Sequence, residues 1–248
     1  MAGCRRKLMN LLCETRDPLR YRAELGGVIG RFCYGVVLAL PLLLLLVGGC
    51  SSAQAVERVF IDDFEQGLAP SWEVREFAGQ TRYQIVADGS GHSLRATSQS
   101  AASGLVYPLD LDPLQTPILS WRWKIADTIP GGDARQKSTD DYAARIYVIF
   151  PHWFFPKTKT LNYIWANQLP QGSAIPSSYT SNSMMIAVRS GRDERGTWQS
   201  ERHDIVADYR CLFGAEPPRI GAIAIMTDTD NTGATAQAWY DDIELSSQ

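Results

Sequence analysis

The sequence predicts an all-β fold of the sandwich or jelly-roll type. After residue 56, apolar side chains recur at every second position, which is the period of a strand. About ten short segments show this pattern, and Gly, Pro, Asp and Ser separate them. No strand–helix–strand alternation is visible. Such a series of short strands is typical of two stacked sheets.

The clearest strand is predicted over residues 117–125. Trp121 and Trp123 fall on one of its faces, whereas Arg122 and Lys124 fall on the other. The remaining strands are predicted, in chain order, over residues 59–64, 82–87, 93–98, 104–109, 141–150, 161–166, 183–189, 219–227 and 236–245.

One short helix is predicted over residues 205–213, because Gly214 and the pair Pro217–Pro218 would end it. Two irregular stretches, residues 127–139 and 151–160, are long for loops in a compact domain. Long loops of this kind are often functional.

The first 55 residues are predicted to direct export. Residues 1–31 contain seven Lys or Arg and three acids, and twelve apolar residues follow from Val36 to Val47. This length suits the core of a signal peptide and is short for a membrane-spanning helix. A retained anchor helix over the nineteen uncharged residues 32–50 is the alternative.

Two processing sites follow the apolar run. The sequence VGGC, which ends at Cys50, resembles the lipobox of bacterial lipoproteins, and the resemblance implies acylation of Cys50. Ala53–Ala55 (AQA) matches an ordinary signal-peptidase site. We favour the lipobox, after which Ser51 resembles the signal for the outer membrane. The expected location is the periplasm or outer membrane, and residues 56–248 are expected to form a single β-sandwich domain.

Charge and cysteine content exclude several function classes for this domain. Residues 56–248 contain 17 basic and 24 acidic side chains, a net charge of −7, so nucleic acids and anionic lipid surfaces are poor partners. Cys211 is the one cysteine in this part of the sequence, so no disulfide is expected within the domain. The H-E-x-x-H, G-x-S-x-G, phosphate-loop and C-x-x-C motifs are absent.

Four sequence blocks resemble a bacterial family known as domain of unknown function 3047. They are residues 140–150, 161–167, 204–214 and 225–233, the last reading IMTDTDNTG. The resemblance covers essentially the whole mature chain and implies no particular activity. More loosely, VFIDDFEQG with Trp72, and the closing AWYDDIEL, look like the first and last strands of jelly-roll carbohydrate-binding modules. That likeness implies a galactose-binding-like or concanavalin-like sandwich.

Acidic residues at both ends of the domain are candidate ligands for a structural Ca²⁺. If the first and last strands pair, Asp62 and Asp63 come near Asp241 and Asp242. Carboxylates at such distances repel one another unless a cation lies among them. Because neighbours on a strand face opposite ways, only one Asp of each pair can face a common site. Solvent-facing strand ends are the alternative.

A second candidate for Ca²⁺ is the segment from Asp228 to Gly233. Asp228 and Asp230 lie at the first and third positions of a calcium-loop pattern, and Gly233 lies at the sixth. The closing Glu is missing, since Trp239 occupies its position. A polar turn is therefore the alternative interpretation.

Arg145 lies within an otherwise apolar predicted strand. An unpaired charge there would cost several kcal/mol, so we expect a carboxylate partner or a position facing a cleft. Asp141, four residues earlier on the same predicted face, is the expected neighbour. A structural ion pair and ligand binding both stay open.

The aromatic content predicts glycan binding, which needs flat rings and planar polar groups. All seven tryptophans lie after residue 56. Trp153, with Phe154 and Phe155, is expected to be exposed in a loop, whereas Trp239 is expected in the core with Trp121 and Trp123. The candidate ligand-binding residues are Arg145, Asp141, Trp153, Trp165, Asn162 and Asn167.

The leading hypothesis is an exported, non-catalytic β-sandwich that binds a glycan and contains a structural calcium. One alternative is a polysaccharide lyase, in which His203, Arg145 and a tyrosine supply the base and the neutralising group. Another is an envelope interaction module, in which Phe154 and Phe155 contact protein or membrane. Calcium is the one cofactor expected, and the expected partner is a glycan or envelope component.

Overall fold

The computed structural model describes residues 57–89 and 91–248 as two β-sheets packed face to face. The predicted export segment and the predicted lipidation site, Cys50, lie outside these described residues. Within them, no helix combines the length and apolar character of a membrane span. The prediction of a β-sandwich with one short helix is confirmed.

Sheet A contains six strands: β1 (Arg58–Asp62), β3 (Arg82–Asp88), β4 (Gly91–Gln99), β6 (Ile118–Ile125), β11 (Gln199–Asp204) and β13 (Thr235–Ser246). Their order is β11-β6-β13-β4-β3, and β1 pairs with the end of β13. All of these pairings are antiparallel. The predicted pairing of the first and last strands is therefore confirmed.

Sheet B contains seven strands: β2 (Glu73–Ala78), β5 (Ala102–Leu111), β7 (Arg145–Phe150), β8 (Lys159–Ala166), β9 (Ala174–Pro176), β10 (Ser183–Ser190) and β12 (Ile220–Asp228). Their order is β2-β5-β12-β7-β8-β10-β9. The β8–β10 pair is parallel, and the other pairs are antiparallel.

The core lies between the inner faces of the two sheets. Trp121 and Trp123 of β6 are 1% and 0% exposed, as predicted, and they meet inward residues of sheet B such as Ile146 and Tyr163. Their neighbours Arg122 and Lys124 point to the outer face of sheet A. Alternate residues of each strand thus point into one continuous apolar layer between the sheets, and the residues between them point to the two outer faces.

Three strands were not predicted, and all three lie at sheet edges. They are β2 (EVREFA), β9 (AIP) and β11 (QSERHD). Edge strands are commonly short or charged, which prevents them from pairing with other chains. Their sequences therefore lack the apolar alternation by which strands are recognised.

The single described α-helix, α1 (Ile205–Phe213), has the predicted bounds. The Asp204 carboxylate accepts hydrogen bonds from the backbone N–H groups of Val206 and Ala207, at 3.0 and 2.9 Å, and so caps the N-terminus. Gly214 ends the helix with a φ of 66°, a conformation that glycine adopts without strain.

A second, smaller apolar cluster covers part of the outer face of sheet B. Ile164 of β8 and Met185 of β10 point outward and pack against Leu169 and Ala134 from connecting segments. Leu169 belongs to residues 167–182, which link the parallel strands β8 and β10. A parallel pair needs a long connection. This one packs Leu169 on the outer face of sheet B and then forms the edge strand β9 beside β10.

Candidate functional site

Arg145 lies at the first position of β7 and points to the outer face of sheet B, where it is 7% exposed. Its Nη2 atom donates to Asp228 Oδ2 at 2.5 Å, so its ion-pair partner is Asp228 at the end of β12. The expected neighbour, Asp141, is not that partner. Because β7 begins only at Arg145, Asp141 belongs to the preceding loop and not to a shared strand face.

Two tyrosine rings flank the Arg145 guanidinium. Their centroids lie 4.9 Å away for Tyr142 and 5.4 Å away for Tyr147. Cation–π contacts of this kind stabilise a desolvated charge. Burial raises the pKa of Tyr147 to about 12, so its phenol stays protonated at neutral pH.

Three buried polar atoms in this region have no hydrogen-bond partner among the described residues. They are Arg145 Nε, Asp228 Oδ1 and Asn162 Oδ1. Asn162 lies opposite Tyr147 in the β7–β8 ladder and is 2% exposed. Buried polar atoms are nearly always satisfied, so such a group calls for an explanation. Because Tyr147 and Arg145 share one face of β7, Asn162 lies on the same face of sheet B as Arg145. A ligand-binding role for Arg145 and Asn162 stays a prediction.

Asp141 is the centre of a carboxylate cluster. One carboxylate oxygen from each of Asp141, Asp228 and Asp230 lies within 4.8 Å of the others. The Asp141 carboxylate also accepts from the backbone N–H and the hydroxyl of Thr232, at 2.7 and 2.6 Å. The predicted calcium-loop segment thus folds around Asp141, which sequence spacing did not connect with it.

Two carboxyl groups of this cluster, those of Asp228 and Asp230, have raised pKa values. Burial raises the pKa of Asp228 to about 8, against the lowering effect of Arg145, and the charges of Asp141 and Asp230 add to the rise. The pKa of Asp230 is also raised, by burial and by Asp141. Crowded carboxylates of this kind are stabilised by protons or by a cation.

The other predicted ligand residues have different surroundings. Asn167 supports the loop before β7, because its Nδ2 donates to the Asp141 carbonyl at 2.8 Å and its Oδ1 accepts from Ile129 N–H at 2.8 Å. Trp165 is 1% exposed and packs against the core, so its ring faces are closed to a ligand. Trp153 is 91% exposed, in the loop that follows the other end of β7.

On the β1 side of the predicted cation site between β1 and β13, both Asp carboxylates accept hydrogen bonds from nearby N–H groups. Asp62 accepts from the backbone N–H groups of Phe64 and Ala69, at 2.9 and 3.1 Å, and from Trp72 Nε1 at 2.8 Å. Asp63 accepts from the N–H of Glu65, outside the sheet. Asp62 is therefore a structural residue of the segment between β1 and β2.

On the β13 side, Arg122 neutralises both acids. Its guanidinium lies 2.5 Å from Asp241 Oδ2 and 2.7 Å from Asp242 Oδ2. Neighbouring side chains of a regular strand could not both reach it. An irregularity in the register between Asp241 and Glu244, with a φ of 49° at Asp242, turns the two carboxylates to one side.

The outer face of sheet A presents a row of side chains that crosses five adjacent strand positions. Trp239 lies opposite Lys124 of β6 on one side and Arg95 of β4 on the other. Arg95 in turn lies opposite Gln84 of β3, and Trp198 immediately precedes β11 beside Lys124. We call this row the platform, and it comprises Trp198, Lys124, Trp239, Arg95 and Gln84.

The platform is held together by cation–π contacts and hydrogen bonds. Lys124 Nζ lies 4.9 Å from the ring centroid of Trp198 and 4.8 Å from that of Trp239. Asp88 accepts from Lys124 Nζ at 3.1 Å and from Trp198 Nε1 at 2.7 Å. Arg95 Nη2 donates to Gln84 Oε1 at 2.9 Å. Both indoles are half-buried and keep part of their surface open to solvent.

An open groove of about 430 Å³ adjoins the platform on the same face. Phe60, Ser120, Arg122 and Arg202 contribute to its walls. The Arg122 guanidinium lies 5.2 Å from the Trp198 ring centroid and so connects the groove with the platform.

The expectation that Trp239 lies in the core is wrong, and Trp198 was not singled out. Ala238 and Tyr240 take the inward positions of β13, so Trp239 between them faces outward. Strict alternation in the sequence AQAWY was the signal that could have revealed it. Trp198 precedes a polar edge strand and gave no such signal.

The residues of the lyase alternative lie on opposite sides of sheet B. The His203 ring packs against Trp121 and Tyr163 on the inner side, with centroids 5.5 and 4.9 Å apart. Arg145 and Tyr147 lie on the outer side. The sheet between them prevents His203 and Arg145 from acting on one substrate.

Among solved structures, the chain is similar to several proteins at low identity. A family 29 carbohydrate-binding module from Piromyces equi matches with 8% identity and a TM-score of 0.38, covering 79% of this chain and 93% of the module. The K1 cleaved adhesin domain of Lys-gingipain from Porphyromonas gingivalis W83 matches with 13% identity and a TM-score of 0.36, covering 77% and 98%.

An exo-β-agarase also matches, with 13% identity and a TM-score of 0.36, over 75% of this chain and 24% of the enzyme. No curated protein matches the sequence. At such identities, the function of this chain has to be argued from its own residues.

The family assignment has a firmer basis. The family model described as "Protein of unknown function (DUF3047)" matches residues 70–244, well over half of the chain. This range contains all four blocks on which the sequence resemblance rests, and it includes the platform and the Arg145 region. The chain therefore belongs to the DUF3047 family.

Proposed function

We propose that this protein is a non-catalytic glycan-binding β-sandwich that binds a saccharide chain on the outer face of sheet A. The supporting observation is the platform, in which Trp198 and Trp239 alternate with Lys124 and Arg95 across neighbouring strands. Saccharides are bound by flat aromatic faces together with planar polar groups. The platform supplies both on one surface.

The dimensions of the platform favour an extended ligand. Its five side chains span four strand spacings, or about 19 Å, because neighbouring strands lie about 4.8 Å apart. The row is perpendicular to the strands, so a chain lying along it would contact Trp198 and Trp239 in turn. The adjoining groove, reached past Arg122, would accept a branch or a continuation of the same chain.

Titration of the full-length protein with a panel of soluble oligosaccharides tests this proposal. We expect binding to a member of the panel that is weakened by Trp239→Ala and by Trp198→Ala. Trp153→Ala is the matched control, because Trp153 is exposed and lies outside the platform. Unchanged affinity in both platform variants would contradict the proposal. Loss of affinity in Trp153→Ala alone would instead support the loop contact predicted from the sequence.

A structural calcium is the second part of the proposal, placed at Asp141, Asp228 and Asp230. Three carboxylate oxygens within 4.8 Å and the unpartnered Asp228 Oδ1 support it. Calcium takes six to eight oxygen ligands, so backbone carbonyls or water would have to complete the set. Arg145 would then hold Asp228 in place from the other side of its carboxylate.

Export to the periplasm or outer membrane is the third part, supported by the basic N-terminal segment, the apolar run and the VGGC motif. Labelling cells with a radioactive fatty acid tests it. We expect label in the wild-type protein and none in Cys50→Ser. Equal labelling of the two would contradict lipidation at Cys50.

A further inference from the structure

The loop between β7 and β8 exposes three consecutive aromatic side chains. Trp153 is 91% exposed, Phe155 is 82% exposed and Phe154 is 48% exposed. All residues from Pro151 to Lys157 are exposed. Soluble proteins rarely present contiguous large apolar side chains to water, and such a patch marks a site of interaction.

The loop has hydrogen bonds that fix this presentation. The N–H of His152 donates to Thr158 Oγ1 at 3.2 Å, and the N–H of Phe154 donates to His152 Nδ1 at 3.0 Å. Phe155–Lys157 forms a 3-10 turn, closed by the N–H of Lys157 on the Phe154 carbonyl at 2.8 Å. The aromatic side chains are therefore held outward by an ordered loop.

The charge of the loop differs from that of the rest of the domain. Residues 151–160 contain two basic side chains, Lys157 and Lys159, and no acid, although residues 56–248 carry a net charge of −7. Lys157 is exposed directly beside Phe155. Lys159 lies over the rings of Tyr209 and Phe213 of α1, at 5.3 and 4.5 Å. An aromatic tip with a basic border is complementary to an anionic lipid surface.

The loop does not resemble the platform as a saccharide surface. The His152 and Trp153 rings are inclined at 34° to each other, and those of Trp153 and Phe154 at 45°. The three rings are therefore inclined to one another and do not form a flat surface. We propose that this loop inserts Trp153 and Phe155 into the surface of a lipid bilayer that contains anionic lipid. This inference goes beyond the proposed glycan function and does not depend on it.

Quenching of tryptophan fluorescence by brominated lipids tests the insertion in the full-length protein. The vesicles contain phosphatidylethanolamine and phosphatidylglycerol, with and without bromine on the acyl chains. Because the chain has seven tryptophans, Trp153 contributes about one-seventh of the tryptophan emission. We expect bromine to quench the wild-type protein more strongly than Trp153→Phe. The difference reports Trp153 alone, even if the N-terminal segment also binds the vesicles.

Two further variants make the result specific. In the Trp153→Phe background, Phe155→Trp is expected to restore the lost quenching. Phe77→Trp in the same background is the control, because Phe77 is 72% exposed on the edge strand β2, outside the loop. Equal quenching of the wild-type protein and Trp153→Phe would overturn the proposal. Quenching of the Phe77→Trp control as strong as that of Phe155→Trp would overturn it as well.

Discussion

The outer faces of the two sheets use the same residue types in different ways. On sheet A, Lys124 lies between the half-buried rings of Trp198 and Trp239, and Arg95 lies beside Trp239. On sheet B, Arg145 is enclosed by two tyrosines and paired with an equally buried Asp228. The two faces therefore differ in burial. The platform on sheet A is open enough to contact a large ligand, whereas the Arg145–Asp228 cluster on sheet B is compact and its charged members stabilise one another.

This contrast explains where pKa values shift. Burial acts to raise the pKa of Asp88 on the sheet A face, but the hydrogen bonds from Lys124 and Trp198, together with the nearby positive charges, lower it overall. Asp228 on the sheet B face has a raised pKa, because burial outweighs the attraction of Arg145. A cation beside an acid lowers the pKa of that acid only if the loss of hydration on burial does not raise it by more.

The largest expected effect comes from removing the buried cation. Arg145→Met leaves the buried Asp228 carboxyl without its partner. At about pH 9, above the Asp228 pKa of about 8, the pair is ionised, and we expect the free energy of unfolding to fall by about 3–5 kcal/mol there. Arg95→Met, on the open face, should change it by less than about 0.5 kcal/mol. Denaturant unfolding of both variants measures the difference. Similar losses in the two would mean that the faces do not differ in this way.

The next effect concerns binding without loss of stability. Trp239→Ala is expected to weaken glycan binding by about thirtyfold, which corresponds to about 2 kcal/mol. Its indole is half-buried, so the unfolding midpoint should change little. Trp165→Ala should show the opposite pattern, since Trp165 is enclosed in the core. Calorimetric titration and thermal melting of each variant separate the two outcomes.

The free energy of unfolding should depend on pH through one aspartate on each outer face, Asp228 on sheet B and Asp241 on sheet A. Burial raises the folded pKa of Asp228 to about 8 and that of Asp241 to about 6, above the ordinary value of 3.8. The folded state therefore binds these protons more tightly. The resulting stability is complete below about pH 4 and is lost as pH rises through the folded pKa values, by at most about 1.4 kcal/mol per pH unit for each group.

Single substitutions assign this pH profile. Asp228→Asn should remove the fall between about pH 6 and 8, and Asp241→Asn should flatten the part below about pH 6. Unfolding free energies measured across this range give the slopes. A slope that persists above pH 6 in Asp228→Asn would show that another group titrates there.

The smallest expected effect is that of calcium. Occupation of the carboxylate cluster should stabilise the protein by about 1 kcal/mol when the free ion exceeds its Kd several-fold. We expect a higher Tm with Ca²⁺ than with chelator, and no difference in Asp230→Asn, where one proposed ligand is lost. An equal Tm in both conditions for the wild-type protein would end the calcium proposal.

Much of the fold was predictable, because buried strands show their alternation directly. The bounds of β6, α1 and β12 were expected within a residue or two, and the predicted apolar face of β6 lies in the core. The polar edge strands β2 and β11 were not predictable in this way. An edge strand needs backbone pairing on one side only, so its sequence is less constrained by the core.

The site was only partly predictable, because its contacts join distant segments. Arg145 was recognised from its cost inside an apolar strand, but its partner Asp228 lies 83 residues away. Asp141 was expected beside Arg145 and instead binds the turn that contains Asp230 and Thr232. Sequence spacing identifies neighbours within one strand, whereas pairing between strands decides which charges meet.

The parallel pairing of β8 with β10 has a consequence for ligand size. Leu169 of the returning chain and Ala134 of the loop before β7 cover part of the outer face of sheet B, and the same chain then adds β9 to the edge of that sheet. A long polymer therefore has less room to lie along the Arg145 side, whereas an ion can be enclosed there. In sheet A every strand pair is antiparallel, so no connection has to return across its outer face. A polymer that is longer than the width of the domain could therefore pass over sheet A.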